Sequence, residues 1–348
     1  MGIYIFTKKE SVLKKVFANN VEFNPAGLTK HKPEDGSILY IDVSGLSDAN
    51  IKTALTQLKK ACKGTAQTNT RSSWGVIDAK GSIKDPAALF FDGASDYLGP
   101  AFFKISKTIN PKRIKTASQW RSAISGSNGK EKAEIKNAKT AMGLPKTGVK
   151  LPSASLFPGW KDMQTGKTMP FYLMYCSLQG KTSLSARFGE NAFAQIHQRF
   201  LAYLFKIFKD GEGLVWMDSG EDCLFLLPPK AKSAEVAIKA CIRMLISAPL
   251  VTIEALSLVV PANFVFALHY GSLSYSPPSK TGTVVSDAVN FVFHLGAKKA
   301  EPGRLTISDE VPDNSIPREL EDCFVSAGEY EGRKIWHTKK FSYVKPWV

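Results

Sequence analysis

The chain has 348 residues, 44% of them hydrophobic and 22% charged, with a formal net charge of +15. That apolar share supplies ordinary buried cores and excludes a disordered chain as a whole. At about 100–200 residues per domain the length predicts two domains and a linker. The longest apolar region, Leu245 to His269, is interrupted by Pro249, Glu254 and Pro261, whereas a spanning helix needs about 20 mostly apolar residues. No transmembrane segment is therefore expected. Met1 to Phe6 lacks the basic start and long apolar run of a signal peptide. The cysteines are Cys62, Cys176, Cys223, Cys241 and Cys323, an odd set without a CxxC pair. They fit a reducing, cytoplasmic setting better than a disulfide framework or a zinc site.

In chain order, Ile3 to Phe6 is predicted as a strand. Glu10 to Ala18 follows as a helix with Val12, Leu13, Val16 and Phe17 on one face. Ser37 to Asp42 reads as a buried strand, and Ala49 to Cys62 as a helix with Ile51, Ala54, Leu55 and Leu58 inward. Trp74 to Ile77 is another strand, and Ala87 to Phe91 a short helix before Asp96-Tyr-Leu98. Strands alternating with helices imply an α/β domain, a parallel sheet covered on both faces. It is bounded at 1–103.

Residues 104–169 differ in composition. Between Lys104 and Thr168 there are 14 Lys and Arg against 3 Asp and Glu, so much of the net charge sits here. Ile114 to Ile124 and Lys132 to Met142 have helical patterns, split by Ser125-Gly-Ser-Asn-Gly129, and Gly143 to Gly159 is rich in Gly, Pro and Ser. The stretch reads as a basic linker. It is either a solvated, self-repelling connection or a contact for nucleic acid, anionic lipid or an acidic partner. Aromatic residues are not interleaved as in a stacking groove.

A second domain is expected over 170–348. Phe171 to Leu178 is a strand, and Glu190 to Phe208 a helix with Phe193, Ile196, Phe200, Leu204 and Ile207 on one face. Strands Leu214 to Met217 and Cys223 to Leu227 follow, joined by the turn Asp218 to Asp222. Then come a helix from Ala234 to Ile246, a strand from Phe264 to Leu273, a helix from Asp287 to Ala300, a strand from Arg304 to Ser308 and a short helix from Pro317 to Phe324. Strand, helix, hairpin, helix, strand is the ferredoxin-like α+β order.

Val285-Ser-Asp-Ala-Val-Asn290 with the helix after it, Ala300-Glu-Pro-Gly303 and the strand ending in Ser308 resemble the signature stretch of class III adenylate/guanylate cyclases. Ala267-Leu-His-Tyr-Gly271 resembles the strand before it, and Gly328 to Trp336 the closing hairpin. The similarity spans Pro170 to Trp336. Such enzymes cyclise ATP or GTP with two Mg²⁺ ions held by two carboxylates, so two acids must face each other from neighbouring strands. The resemblance places Ser177 at the first metal position and Glu221 at the second, with Asp222 beside it. Met217 stands where a purine-selecting lysine is expected, and Thr283 at the second purine contact. Asn290 is kept, and His294 replaces the transition-state arginine. Serine carries no charge, methionine cannot hydrogen-bond a base in that role, and histidine is largely neutral near pH 7. Each has an ordinary reading too: Asn290 tying a backbone group, His294 packing on its helix, Glu221 and Asp222 as solvated turn acids.

The first hundred residues resemble a response-regulator receiver domain, through Leu39-Tyr-Ile-Asp-Val43 and Gly93 to Pro100. The likeness puts Asp42 at the phospho-acceptor position. It puts Thr7-Lys8 where a Mg²⁺-binding acidic pair belongs, Asp78 at the hydroxyl position and Gly99 at the lysine. That implies a pseudo-receiver.

Together these imply a cytoplasmic signalling or regulatory protein. Its inactive cyclase-type domain would act by dimerisation and partner binding, with no cofactor required. The alternatives are a nucleotide-binding sensor without turnover and a low-activity cyclase that uses Glu221 or Asp222 with Mg²⁺.

Overall fold

The computed structural model describes residues 2–17, 21–24, 27–28, 30–31, 33–34, 36–62, 72–106, 108–109, 113–115, 117–118, 148–149, 151, 157–258, 262–283 and 286–341. The expected helix over Lys132 to Met142, and the part of Ile114 to Ile124 beyond residue 118, lie outside these residues. The chain forms two compact units, Met1–Gly129 with Ile246–Ala262, and Lys130–Leu245 with Asn263–Val348. Among the described residues no single helix is long and apolar enough to cross a membrane.

The first unit holds β1 (Ile3–Phe6), α1 (Glu10–Leu13), β2 (Val21–Phe23), β3 (Ile38–Asp42), α2 (Asp48–Cys62), β4 (Ser73–Ile77), α3 (Pro86–Phe91), β5 (Asp96–Leu98) and α4 (Pro100–Ile105). Its strands pair in the order β2-β1-β3-β4-β5, every pair parallel. This is the flavodoxin-like doubly wound order. Alternation along the strands sends side chains to two cores. Tyr4, Phe6, Leu39, Ile41 and Val76 face Leu58 of α2 and Leu89 of α3. Ile5, Ile38, Tyr40 and Ile77 face Leu13, Phe17 and Phe102.

β5 is an edge strand, and such edges need cover. The cover comes from far along the chain. Helix α8 (Ala248–Glu254) packs against β5 and α4. Pro249 opens it in the first turn, where the missing N–H costs nothing. Leu250 enters one core and Ile253 the other. The middle of the interrupted apolar run is thus a helix packed into the cores of the first unit, while its end, from Phe264, is a strand of the second.

The second unit holds β6 (Thr168–Leu178), α5 (Lys181–Phe188), α6 (Glu190–Phe208), β7 (Leu214–Asp218), β8 (Asp222–Leu227), α7 (Ala231–Ile246), β9 (Phe264–Ser274), α9 (Asp287–Lys298), β10 (Leu305–Ser308), β11 (Phe324–Tyr330) and β12 (Arg333–Thr338). Its sheet runs β11-β12-β10-β9-β6-β8-β7. The part β9-β6-β8-β7 is antiparallel throughout and has the ferredoxin-like connectivity. On one face Phe171, Leu173 and Tyr175 of β6 pack with Val289, Val292 and Leu295 of α9. The other face meets α6 and α7: Phe200 stacks on Phe264, and Cys241 Sγ lies 3.9 Å from Met174 Sδ. Gly296 is required by this packing, since a Cβ there would overlap the Tyr175 ring.

Candidate functional sites

In the second unit, β6 and β8 end side by side. Ser177 is the register partner of Asp222, so their side chains share a sheet face. Ser177 is buried at 1% exposure, and its Oγ accepts from Gln179 Nε2 at 2.9 Å. Two residues back on the same face stands Tyr175. Burial pushes its phenol well up. The nearby Asp222 carboxylate adds to that rise, and Ser177 works against it. Gln179, Ser177, Tyr175 and Asp222 thus form one polar group at the strand ends. It contains one carboxylate.

Glu221 points elsewhere, to Lys181 Nζ at 3.6 Å. Met217 lies beside a bulge between Val215 and Met217, which lets both Trp216 and Met217 pack on the β6–α9 core. The Trp216 indole donates to Ser276 O at 2.7 Å. Asp218 ends β7 and accepts from the buried His197 Nε2 at 2.7 Å and from Gly220 N at 2.9 Å. Asn290 and His294 occupy the exposed side of α9. His294 Nδ1 bonds Glu331 Oε1 at 2.9 Å and holds that carboxyl below its ordinary range. Among the described residues no hydrogen bond or ion pair joins Asn290 or His294 to Ser177 or Asp222. The Thr283 side chain lies outside the described residues. Among those residues no group of three or more His, Cys, Asp or Glu could hold a metal ion.

In the first unit, Asp42 ends β3 at the carboxyl edge of the parallel sheet. Its Oδ2 accepts from Thr7 Oγ1 at 2.7 Å and its Oδ1 from Ser44 N at 2.9 Å. Thr7 is fixed in turn, because its N–H donates to Asn24 Oδ1 at 2.8 Å and its Oγ1 accepts from Lys9 N at 2.9 Å. A cleft of about 530 Å³ opens over these residues, with Lys8, Lys9 and Lys80 among its lining. It sits where strand order reverses between β1 and β3, the usual ligand position in such sheets.

Asp78, after β4, is fully buried and accepts from Ser82 N at 2.8 Å, Ile83 N at 2.9 Å and the Tyr97 hydroxyl at 3.1 Å. Gly99, after β5, has no room for a side chain: a Cβ there would come within 2.6 Å of Glu254 Oε1 and overlap the Tyr97 ring. Burial raises the Glu254 carboxyl, and the nearby Ala101 backbone N–H opposes that rise. Deeper in this unit lies a fully buried ion pair between Arg113 and Asp96, and Tyr40 donates to Asp96 Oδ2 at 2.8 Å. Arg113 is a cation of the basic stretch that is not at the surface.

No family model matches the chain, and no curated protein matches it. Among solved structures, the guanylyl cyclase Cya2 aligns with a TM-score of 0.40 and 16% identity, over 50% of this chain and 94% of that one. The adenylyl cyclase CyaB from P. aeruginosa aligns with a TM-score of 0.39 and 18% identity, over 49% and 95%. The guanylate cyclase domain of RhGC from Catenaria anguillulae, solved with GTP, aligns with a TM-score of 0.38 and 16% identity, over 50% and 99%.

Proposed function

We propose that the second unit is a cyclase-type module that does not cyclise nucleotides and works by pairing with a second copy or a signalling partner. The carrying observation is the strand-end pair. An uncharged Ser177 faces Asp222, and the buried Tyr175 phenol stands near that lone carboxylate. Two-metal cyclisation needs carboxylates on both strands to neutralise and clamp two cations. Here one is absent, and the other has only a neutral serine and a phenol beside it. Asn290 and His294 lie on an exposed helix face, where they can meet another chain but not the Ser177–Asp222 pair of their own.

The first unit fits a pseudo-receiver that has lost cation chemistry at Asp42. The residues after β1 are Thr7 and Lys8 rather than acids, and Lys8 and Lys9 would repel Mg²⁺. At Gly99 a carboxylate from α8 takes the space of the lysine side chain. Both units thus support a regulatory role.

The test is cyclic AMP and cyclic GMP formation by the purified full chain with ATP or GTP and Mg²⁺ or Mn²⁺. None is expected. Product formation that Asp222→Ala abolishes would overturn the proposal. Sedimentation of the full chain measures the pairing, which Asn290→Arg together with His294→Glu is expected to weaken.

A further inference from the structure

We propose that the cleft at the carboxyl edge of the first sheet is a binding site for a small organic phosphomonoester of about mononucleotide size. The inference does not depend on the cyclase reading of the second unit. Its volume of about 530 Å³ lies within the about 300–1,000 Å³ typical of small-molecule sites. Phe6, Leu28, Ile41 and Leu46 give it apolar walls, while Lys8, Lys9 and Lys80 bring three ammonium groups to the same opening.

The charge balance selects the ligand class. Among the described residues Asp42 is the one acidic residue lining the cleft, and its two oxygens are already occupied by Thr7 Oγ1 and Ser44 N. Lys9 Nζ spends one donor on Ser44 O at 3.2 Å. No carboxylate among the described residues forms an ion pair with Lys8, Lys9 or Lys80. Three cations against one committed anion leave an excess of two positive charges. A phosphomonoester carries about −1.5 to −2 at neutral pH and accepts from several ammonium donors at once. A divalent cation would meet the opposite field. The apolar walls then suit a flat or hydrocarbon body attached to the phosphate, as in a nucleoside monophosphate.

Strand geometry holds the parts in place before any ligand arrives. Thr7, Lys8 and Lys9 follow β1, Asp42 and Ser44 end β3, and Lys80 follows β4, so neighbouring parallel strands deliver all of them to one edge. Asp42 then acts as the brace that holds Thr7 and Ser44, rather than as an acceptor of a phosphoryl group.

The experiment is titration of the full chain with AMP, inorganic phosphate and adenosine at low salt, by calorimetry and by amide chemical shifts. AMP should bind with one-to-one stoichiometry and at least about tenfold more tightly than adenosine, as charge-assisted hydrogen bonds imply. The shift changes should centre on Gly27, Gly45 and Lys80. Lys8→Ala with Lys80→Ala should weaken AMP by about tenfold or more while leaving the melting temperature unchanged. Asp42→Asn should tighten AMP, because it removes the one repelling charge. No binding of AMP or phosphate at low salt overturns the proposal. So does binding that the double lysine variant leaves intact, which would place the anion on the basic stretch, and so does Asp42→Asn weakening it.

Discussion

Arg113 is ion-paired with Asp96 in the first unit, and neither side chain has measurable contact with water. A charge stranded in such a place costs far more than a well-made pair contributes. Among the described residues, Arg113→Ala leaves Asp96 with the Tyr40 hydroxyl and the Tyr97 N–H as donors. It should destabilise the first unit by about 3–5 kcal/mol. Urea unfolding measures this, and a loss below about 1 kcal/mol would contradict the buried pairing. Arg113→Met with Asp96→Asn should recover much of the loss, because neither charge is then left alone.

At Ser177 and Asp222 the proposed defect can be repaired. Ser177→Asp with Tyr175→Phe supplies the second carboxylate and removes the phenol hydroxyl near the first. Mn²⁺ should raise the melting temperature of this double variant and not of the parent. Ser177→Asp alone should gain less, because the Tyr175 hydroxyl still stands near Asp222. Equal Mn²⁺ binding by the parent would contradict the reading of the site.

His269 has its imidazole pulled down to about 3 by burial, with the Arg333 cation adding to the shift. Its Nδ1 shares a hydrogen bond of 2.8 Å with Ser308 Oγ. Between about pH 6.5, the unfolded value, and about 3, the unfolded chain carries a proton here that the folded chain does not. Stability therefore falls as pH drops through that window, by up to about 1.4 kcal/mol per pH unit from this group. The stability difference between parent and His269→Gln should be flat above pH 7 and shrink steadily below 6.5. A difference that does not change with pH would contradict it.

Glu254 has the opposite sign. Burial raises its carboxyl, and nearby Asp78 adds to that, while the Ala101 N–H, Arg113 and Lys104 oppose it. A raised acid holds its proton more tightly when folded, so stability falls as pH rises from the ordinary carboxylate range through the folded value. Glu254→Gln keeps an acceptor for Ala101. It should raise the melting temperature at neutral pH and remove that part of the pH slope. A lowered melting temperature at neutral pH would contradict it.

The long periodic elements were legible in the sequence. The Glu190–Phe208 helix and the strands at Phe171, Phe264 and Leu305 carry strong apolar patterns that burial enforces. β2 was not legible, because Val21-Glu-Phe23 is too short for alternation to register and exists by pairing with β1. Nor was α5, where Leu184, Ala186 and Phe188 are scattered among Ser, Thr and basic residues and no side chain is buried. At the positions that the cyclase resemblance implied for metal, the alignment led to Glu221 with Asp222 beside it, and only the strand register singles out Asp222 as the partner of Ser177. Tyr175 read as one more core aromatic. Its hydroxyl matters only once Asp222 is known to stand beside it. Arg113 read as one cation among many, since its partner Asp96 belongs to a strand that only tertiary contact brings near.

The segment Ile246–Ala262 has a wider consequence. It leaves the second unit after α7, completes the first unit at β5, and returns to begin β9. The polypeptide therefore crosses between the units three times, and no single cut frees either one intact. A fragment ending at Gly129 would lack Leu250 and Ile253 from its cores, while the remainder would carry that apolar helix undocked. Heredity is constrained in the same way, for neither half can be shuffled into another gene as one continuous block. Undocking α8 would also release slack between α7 and β9, so a change at the edge of the first sheet has a covalent tether straight into the second.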